Sequence, residues 1–159
     1  MYDEVGPVVH VEFADPYCPR GRAAVLAAAQ APGQVTVQDG GTLVVVNGPR
    51  FSSAAESRWH TAQGWSLVGM TAMPEAAVAR ELALCFTTIC LVTDHDAGVD
   101  GVPAVTHAEV LRAFARSMGG LQALLREAIS RLPEPEPDDE AGCRCRRVLD
   151  GLELPFALP

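Results

Sequence analysis

The 159-residue chain lacks several features that would mark whole classes of protein. No apolar run approaches the roughly 20 residues that span a bilayer, so a membrane helix is not expected. Basic residues are few, with 12 Lys and Arg against 20 Asp and Glu, and the formal net charge is −8. This balance excludes the basic surface that is typical of nucleic-acid or anionic-membrane binding. Met1 is followed by Tyr2, Asp3 and Glu4 with no basic stretch leading into an apolar one, so no signal peptide is expected.

Cysteine is present but does not suggest a disulfide framework. The five cysteines are an odd number, and Cys85 and Cys90 lie among apolar residues, as buried thiols in a reducing cytoplasm do. The sequence therefore predicts a cytoplasmic protein. Cys143 and Cys145 form a Cys-Arg-Cys pair, which can bind metal or form a strained redox pair. Two ligands do not make a zinc site, so no metal is predicted.

The residues that are present predict one α/β domain. With 48% hydrophobic and 20% charged residues, the composition is that of a folded globular protein. Short β-branched runs alternate with helical patterns. The predicted strands are 8–13, 65–70 and 85–93, and the predicted helices are 19–30, 52–64, 74–84 and 106–132. The stretch 34–48 predicts a hairpin around Asp39-Gly40-Gly41.

Local signals support the helices and separate the body from a tail. Pro19 and Pro74 suit first helical turns, and Ser52 and Ser53 supply hydroxyls that can cap the helix over 52–64. Thr106 followed by Glu109 predicts a capping box. The acidic, proline-rich stretch 133–142 predicts a linker. The sequence is thus divided into a body, 1–132, and a linker with a C-terminal tail, 133–159.

Polar residues follow three of the predicted apolar segments. Asn47 to Ser53 follow "LVVV", Gly69-Met70-Thr71 follow "SLV", and Thr93 to Asp96 follow "ICLV". In sheets of this class, ligands bind outside the carboxyl ends of strands. An aromatic ring, a thioether, hydroxyls and two carboxylates would then converge, which suits a flat polar ring with a hydroxylated appendage. The alternative is that turn prolines and helix caps explain these residues.

The motifs "GPRFSSAAES", "GMTAMPEAAVARELALC" and "VTDHDAG", in this order and spacing, resemble a known family. They are similar to the C-terminal half of the trimeric purine nucleoside and methylthioadenosine phosphorylases, from about Tyr2 to about Leu132. The closing "LDGLELPFALP" resembles the tail of bacterial members. The resemblance implies part of a mixed sheet with flanking helices, and a homo-oligomer, which in this family is a trimer. It also implies no cofactor beyond inorganic phosphate as co-substrate, and no nucleic-acid or membrane partner.

The implied reaction is the attack of phosphate on C1′ of a purine nucleoside, through an oxocarbenium-like transition state. Asp94 matches the family residue that assists departure of the base at N7. A protonated Asp94 can donate to N7 while its other oxygen accepts from a 6-amino group, a pattern that fits adenine. The 6-oxopurine members carry Asn at this place, so Asp94 favours a 6-aminopurine. Asp96 supports Asp94 or contacts the base, and a plain loop role is the alternative.

Other matched residues imply contacts to the sugar and phosphate. Phe51 matches the aromatic residue that packs on the base or ribose, and Met70 matches the residue under the ribose. Thr71 matches a phosphate-contacting hydroxyl. Ser52 lies at a position that shapes selectivity among relatives, although a helix-cap role is equally credible. For each of these residues, an ordinary place in the core, a turn or a cap is the alternative.

His107 departs from the methylthioadenosine pattern. Those enzymes tend to have a small apolar residue there, whereas enzymes that prefer a 5′-hydroxyl carry a histidine that can hydrogen-bond it. Asp94 with His107 therefore predicts adenosine, or a broad enzyme that accepts both adenosine and methylthioadenosine. An exposed histidine in a first helical turn is the alternative.

The resemblance covers only half of a family member. The glycine-and-hydroxyl phosphate loop and the Arg-His pair of the N-terminal half have no counterpart here. Three interpretations follow: a truncated product, one half of a split enzyme that pairs with a separate N-terminal chain, or an inactive remnant that binds purine or mediates oligomerisation. The loop that would supply a neighbour's residue is shortened to "DEVGPV".

Overall fold

The computed structural model describes residues 9–33, 35–97, 105–134 and 143–154. Within these ranges the elements are α1 (Pro19–Ala29), β1 (Leu43–Val45), α2 (Ala54–Ala62), β2 (Leu67–Gly69), α3 (Ala72–Glu81) and α4 (His107–Ser130). A short 3-10 helix, Arg144–Arg147, follows in the C-terminal part. The α/β class is confirmed. No helix in the described ranges combines the length and apolarity that a bilayer span needs.

The two strands are joined by a helical crossover. β1 and β2 are parallel, with Leu43 opposite Leu67 and Val45 opposite Gly69, and α2 connects them. A crossover helix is the connection that parallel strands require. Gly69 fits closely in this ladder, because a Cβ there would come within 3.3 Å of Leu43 Cδ1. Both strands are half-buried, so in the described residues the sheet is covered only in part.

The hairpin expected over 34–48 is wrong. Residues 35–42 form no strand, and Leu43–Val45 pairs in parallel with β2 instead. Val37, in the expected first arm, packs on the α1–α4 core, and Asp39 forms an ion pair with Arg22 of α1 at 2.6 Å. These contacts hold the first arm against α1 rather than against β1. Gly40 and Gly41 do turn the chain, with φ of +87° and +110°.

Two other predicted strands are not strands in the structure. Residues 9–13 and 85–93 have no ladder partner among the described residues; position 8 lies outside them. The apolar run 85–93 is held in part by an isolated backbone hydrogen bond, in which the Cys18 N–H donates to the Phe86 carbonyl at 2.6 Å. A strand is defined by pairing, so apolar β-branched composition alone does not produce one. Cys85 and Cys90, expected from this run to be buried thiols, are exposed instead, since no neighbouring strand among the described residues covers them.

The helices follow their local signals closely. Pro19 opens α1, and regular helical geometry in α3 begins at Pro74 because Met73 is not helical. Thr106 and Glu109 form the capping box expected at α4. The linker predicted over 133–142 lies mostly outside the described residues. The 3-10 helix in the tail was not predicted.

The apolar core lies between α1 and α4. Ala28, Leu124 and Ala128 are buried together there, and Val25, Ala29 and Val37 pack around them. Gly120 lets the chain before β1 come close to α4, since a Cβ would lie 2.3 Å from Val35 Cγ1. None of the three buried core residues is among those that line the cleft described below.

Candidate active site

A cleft of about 1040 Å³ lies at the carboxyl ends of β1 and β2. It is formed by the loop after β1, the start of α3, one face of α2 and the segment 86–96. Six of the seven predicted site residues line it, namely Phe51, Ser52, Met70, Thr71, Asp94 and Asp96. The predicted convergence of the three polar segments is thus present in the structure.

The loop after β1 is fixed by charged contacts. The Arg50 guanidinium binds both oxygens of Glu56, at 2.9 and 2.7 Å, and donates to the Phe51 carbonyl at 3.0 Å. The hydrogen bond with Arg50 lowers the pKa of Glu56 to about 2, helped by the Ser53 N–H and hydroxyl. Glu56 and Ser53 form a capping box at the start of α2. Arg50 therefore braces the loop that presents Phe51 to the cleft.

Ser52 is not the cap of α2, because Ser53 takes that role. The cap alternative for Ser52 is therefore wrong. Its side chain is buried, and its Oγ has no hydrogen-bond partner among the described residues. A buried hydroxyl without a partner is uncommon, since leaving one unpaired costs about 1–3 kcal/mol. Ser52 thus offers a donor and acceptor at the cleft wall.

Met70 and Thr71 stand at the end of β2. The Met70 thioether lies against Gly48 so closely that a Cβ there would come within 2.8 Å of Sδ. Gly48 thereby fixes the loop after β1 against β2. Thr71 is the N-cap of α3, but its side chain makes no capping bond. The hydroxyl therefore stays available at the cleft, just ahead of Pro74, where regular helical geometry begins.

The third segment holds its two carboxylates through a local network. Thr93 Oγ1 bonds Asp94 Oδ2 at 2.7 Å, and the Asp96 N–H donates to Asp94 Oδ1 at 2.9 Å. Asp96 has a φ of +59°, a left-handed conformation that aspartate tolerates better than most residues. Both aspartates are half-buried. Each Asp94 oxygen keeps a second lone pair that can face a ligand.

His107 is not brought to this cleft. It is the first residue of α4 and is exposed, whereas Val110, one turn further on, lines the cleft. The connection from Asp96 to α4 runs through 98–104, outside the described residues. His107 is therefore the one predicted site residue that the structure keeps apart from the other six.

One face of α2 adds residues that sequence reasoning missed. Ser57 and His60 are buried on this face and line the cleft, and Ser57 donates to Asp96 Oδ2 at 2.6 Å. His60 packs against Trp65 with ring centroids 5.8 Å apart, and its Nδ1 has no partner among the described residues. The spacing of Ser53, Ser57 and His60 on one helical face was the available signal.

Comparison with known proteins identifies relatives that match nearly the whole chain. The model of the Phosphorylase superfamily matches residues 2–130. A purine nucleoside phosphorylase of Streptomyces coelicolor is 55% identical over 152 residues, covering 96% of this chain and 53% of that protein. An S-methyl-5′-thioadenosine phosphorylase of Mycobacterium tuberculosis is 50% identical over 151 residues, covering 95% of this chain and 53% of that protein.

A solved structure shows the same fold. The methylthioadenosine phosphorylase from Schistosoma mansoni in complex with adenine superposes with a TM-score of 0.76 at 31% identity. The match covers 84% of this chain and 52% of that one. The chain thus spans about half the length of the curated relatives it matches.

Proposed function

The chain belongs to the phosphorylase superfamily, and from this premise we propose that its cleft serves the phosphorolysis of a purine nucleoside. The products are the free base and a pentose 1-phosphate. The observation that carries the proposal is the meeting of Phe51, Met70, Thr71 and Asp94 in one cleft. The aromatic ring suits a base, the thioether suits a sugar, the uncommitted hydroxyl suits a phosphate, and the carboxyl group suits a departing base.

Asp94 is the residue to which we assign chemistry. When protonated, it donates to N7 of the departing base and reduces the charge that builds up there. The Thr93 hydroxyl, which can donate or accept, holds the carboxyl group in place in either protonation state. The free lone pair on the other oxygen accepts from an exocyclic amine. This arrangement favours a 6-aminopurine, as in adenosine or methylthioadenosine.

The sugar and phosphate contacts follow from neighbouring positions. Phe51 lines the cleft and is 40% exposed, so it has room to stack on a base or ribose. Thr71 donates its uncommitted hydroxyl to a phosphate oxygen in the cleft. Ser52 Oγ supplies a further polar contact that influences selectivity. We assign to His107 the choice between a 5′-hydroxyl and a 5′-methylthio group. His107 lies on α4 outside the cleft lining, so it would have to move toward the cleft to make this contact.

This chain spans about half the length of its relatives. We propose the full activity for the cleft only when the other, N-terminal half is also present. Of the phosphate contacts implied by the resemblance, we assign one to Thr71. The remaining contacts would come from an N-terminal half chain, and a trimer, as the resemblance implies, would complete the site. Phosphate is the co-substrate, and we assign no cofactor to the chemistry.

The test is a reconstitution. The chain is co-expressed with the N-terminal half of the Streptomyces coelicolor relative, and release of base from adenosine, methylthioadenosine and inosine is followed by chromatography with and without phosphate. We expect phosphate-dependent release by the pair and none by either part alone. If a continuous fusion of the two parts folds but releases no base, the proposal is wrong. Calorimetric binding of adenine in that inactive fusion would instead support a purine-binding module.

A further inference from the structure

Four of the five cysteines come together away from the cleft. Cys18 precedes α1, Cys85 follows α3, and Cys143 and Cys145 belong to the 3-10 helix segment of the tail. Their sulfur atoms all lie within 4.8 Å of one another, and Cys85 and Cys143 are 3.3 Å apart. None of these four cysteines is among the residues lining the cleft.

The spacing of these sulfurs matches tetrahedral coordination. Zinc–sulfur bonds of about 2.3 Å place the four sulfurs of a tetrahedral site about 3.8 Å from one another. The observed separations, from 3.3 Å for one pair up to the limit of 4.8 Å, lie on both sides of that value. Movements of under about 1 Å would therefore close the cluster around an ion of this size.

The surroundings suit a closed structural site. Cys18 is 1% exposed and Cys145 is 3% exposed, so solvent reaches the cluster mainly at Cys85. Cys18 occupies the N-cap position of α1, and its side chain makes no capping bond, so its sulfur is not committed to the helix. Three arginines, Arg144, Arg146 and Arg147, stand on the same short helix, and Arg144 pairs with Glu12 at 3.3 Å. Positive charge thus lies in the same segment as Cys143 and Cys145.

We propose that Cys18, Cys85, Cys143 and Cys145 bind one zinc ion through four thiolates. Four thiols lose four protons, and their sulfur lone pairs form four bonds to Zn²⁺ with no change in oxidation state. With four protein ligands the ion has no open position, so its role is structural. It ties the tail segment 143–154 to α1 and to the chain that follows α3.

The sequence alone predicted no metal here because the ligands do not follow a zinc spacing. Cys143 and Cys145 are a close pair, but Cys18 and Cys85 lie far away along the chain and from each other. Only the fold brings the second pair to the first. Cys90 remains outside the cluster and provides a matched control.

The experiment measures metal content and thiol protection in the reduced full chain. The protein is purified with a thiol reductant from zinc-supplemented cells, and zinc is determined by plasma mass spectrometry. We expect about one zinc per chain in the wild type and in Cys90→Ser, and a loss of most of it in Cys145→Ser. N-ethylmaleimide should label only Cys90 before chelation and all five cysteines after it, as read by peptide mass spectrometry.

A second measurement avoids dependence on a variant that fails to fold. Cobalt added to the metal-free wild type should give the visible bands of tetrahedral cobalt with thiolate charge-transfer absorption, and zinc should abolish them. Cobalt spectra without thiolate bands would overturn the proposal. So would reduced, folded protein that holds no zinc, or four sulfurs found as two disulfides under the same reducing conditions.

Discussion

Ser57 and Asp96, 39 residues apart along the chain, share a hydrogen bond of 2.6 Å between Oγ and Oδ2. Ser57 is 2% exposed on the inner face of α2, and Asp96 belongs to the loop that carries Asp94. The Asp96 N–H in turn donates to Asp94 Oδ1. Through this chain of bonds α2 fixes the position of the carboxyl group to which we assign the chemistry.

Replacing Ser57 by Ala should destabilise the chain by about 1–3 kcal/mol, because a partly buried carboxylate loses its donor. Urea unfolding followed by the fluorescence of Trp59 and Trp65 measures this. A double-mutant cycle with Asp96→Ala should show that the two losses are not additive. Additive losses would mean that the bond contributes nothing to stability.

Glu56 predicts a pH dependence. Its pKa of about 2 lies below the ordinary 4.5 because Arg50 and Ser53 donate to it. A lowered carboxyl pKa stabilises the folded chain above the unfolded value, and this stabilisation is lost as pH falls from about 4.5 toward 2. The stability advantage of the wild type over Glu56→Gln should therefore be full above roughly pH 5 and shrink from there toward roughly pH 2.

The matched control for that prediction is Glu153→Gln, which makes the same chemical change on an exposed residue of the tail. Its stability difference from the wild type should vary far less over the same pH range. An advantage over Glu56→Gln that stays constant with pH would show that Arg50 and Glu56 do not interact as an ion pair in solution.

One side of α4 leaves an apolar stripe exposed, and this predicts how the isolated chain behaves. Its members are exposed large apolar residues at helical spacing, namely Leu111, Phe114, Leu125 and Ile129. An uncovered face of this kind promotes association. We expect the isolated chain to bind a hydrophobic dye and to be oligomeric or partly molten, rather than a monodisperse monomer with a sharp melt.

Variants of two adjacent leucines, the buried Leu124 and the exposed Leu125, distinguish association through the exposed stripe from loss of core packing. Leu125→Ser with Ile129→Ser should lower dye binding and oligomer size with little loss of stability, because both side chains are exposed. Leu124→Ala should instead cost about 2–5 kcal/mol, since Leu124 is 1% exposed in the α1–α4 core. Unchanged dye binding in the double variant would place the exposed apolar surface elsewhere.

Local signals in the sequence predicted local structure well. The capping box of Thr106 and Glu109 and the prolines at the first turns of α1 and α3 act within a few residues, so the sequence contains the whole interaction. Pairing is different. No local signal distinguishes pairing of β1 with β2 from pairing of β1 with residues 35–38. The outcome depends on contacts that Val37 and Asp39 make with helices far away in the sequence.

The site shows the same division. The polar segments that follow apolar runs predicted which residues meet, and six of the seven line one cleft. The bond from Ser57 to Asp96 and the thiol cluster depend on contacts between residues far apart in sequence, which no spacing rule encodes. His107 was assigned to the site by resemblance alone. In the structure it is exposed on the first turn of α4, a position where a histidine needs no ligand, so its sequence context does not distinguish a binding role from a surface position.

Asp94 carries the last prediction, which concerns the reconstituted enzyme. Asp94→Asn keeps the shape of the side chain but loses the transferable proton. Its amide either donates to N7, leaving its oxygen to face the 6-amino group, or turns the other way, but the transition state no longer receives a proton at N7. On a 6-oxopurine the same amide donates to O6 or N7.

On a 6-oxopurine, Asp94 leaves its second oxygen facing O6 with no hydrogen between them, a mismatch of about 1–3 kcal/mol that the amide removes by donating. The ratio of adenosine to inosine phosphorolysis should therefore fall roughly ten- to hundredfold in Asp94→Asn. Steady-state kcat/KM on both nucleosides measures the ratio. Asp96→Asn makes the same change in the same loop, but Asp96 Oδ2 is bound by Ser57, so it should affect both nucleosides to a similar extent. If the ratio of adenosine to inosine activity is unchanged in Asp94→Asn, Asp94 does not read the 6-position, and the case for a 6-aminopurine substrate fails with it.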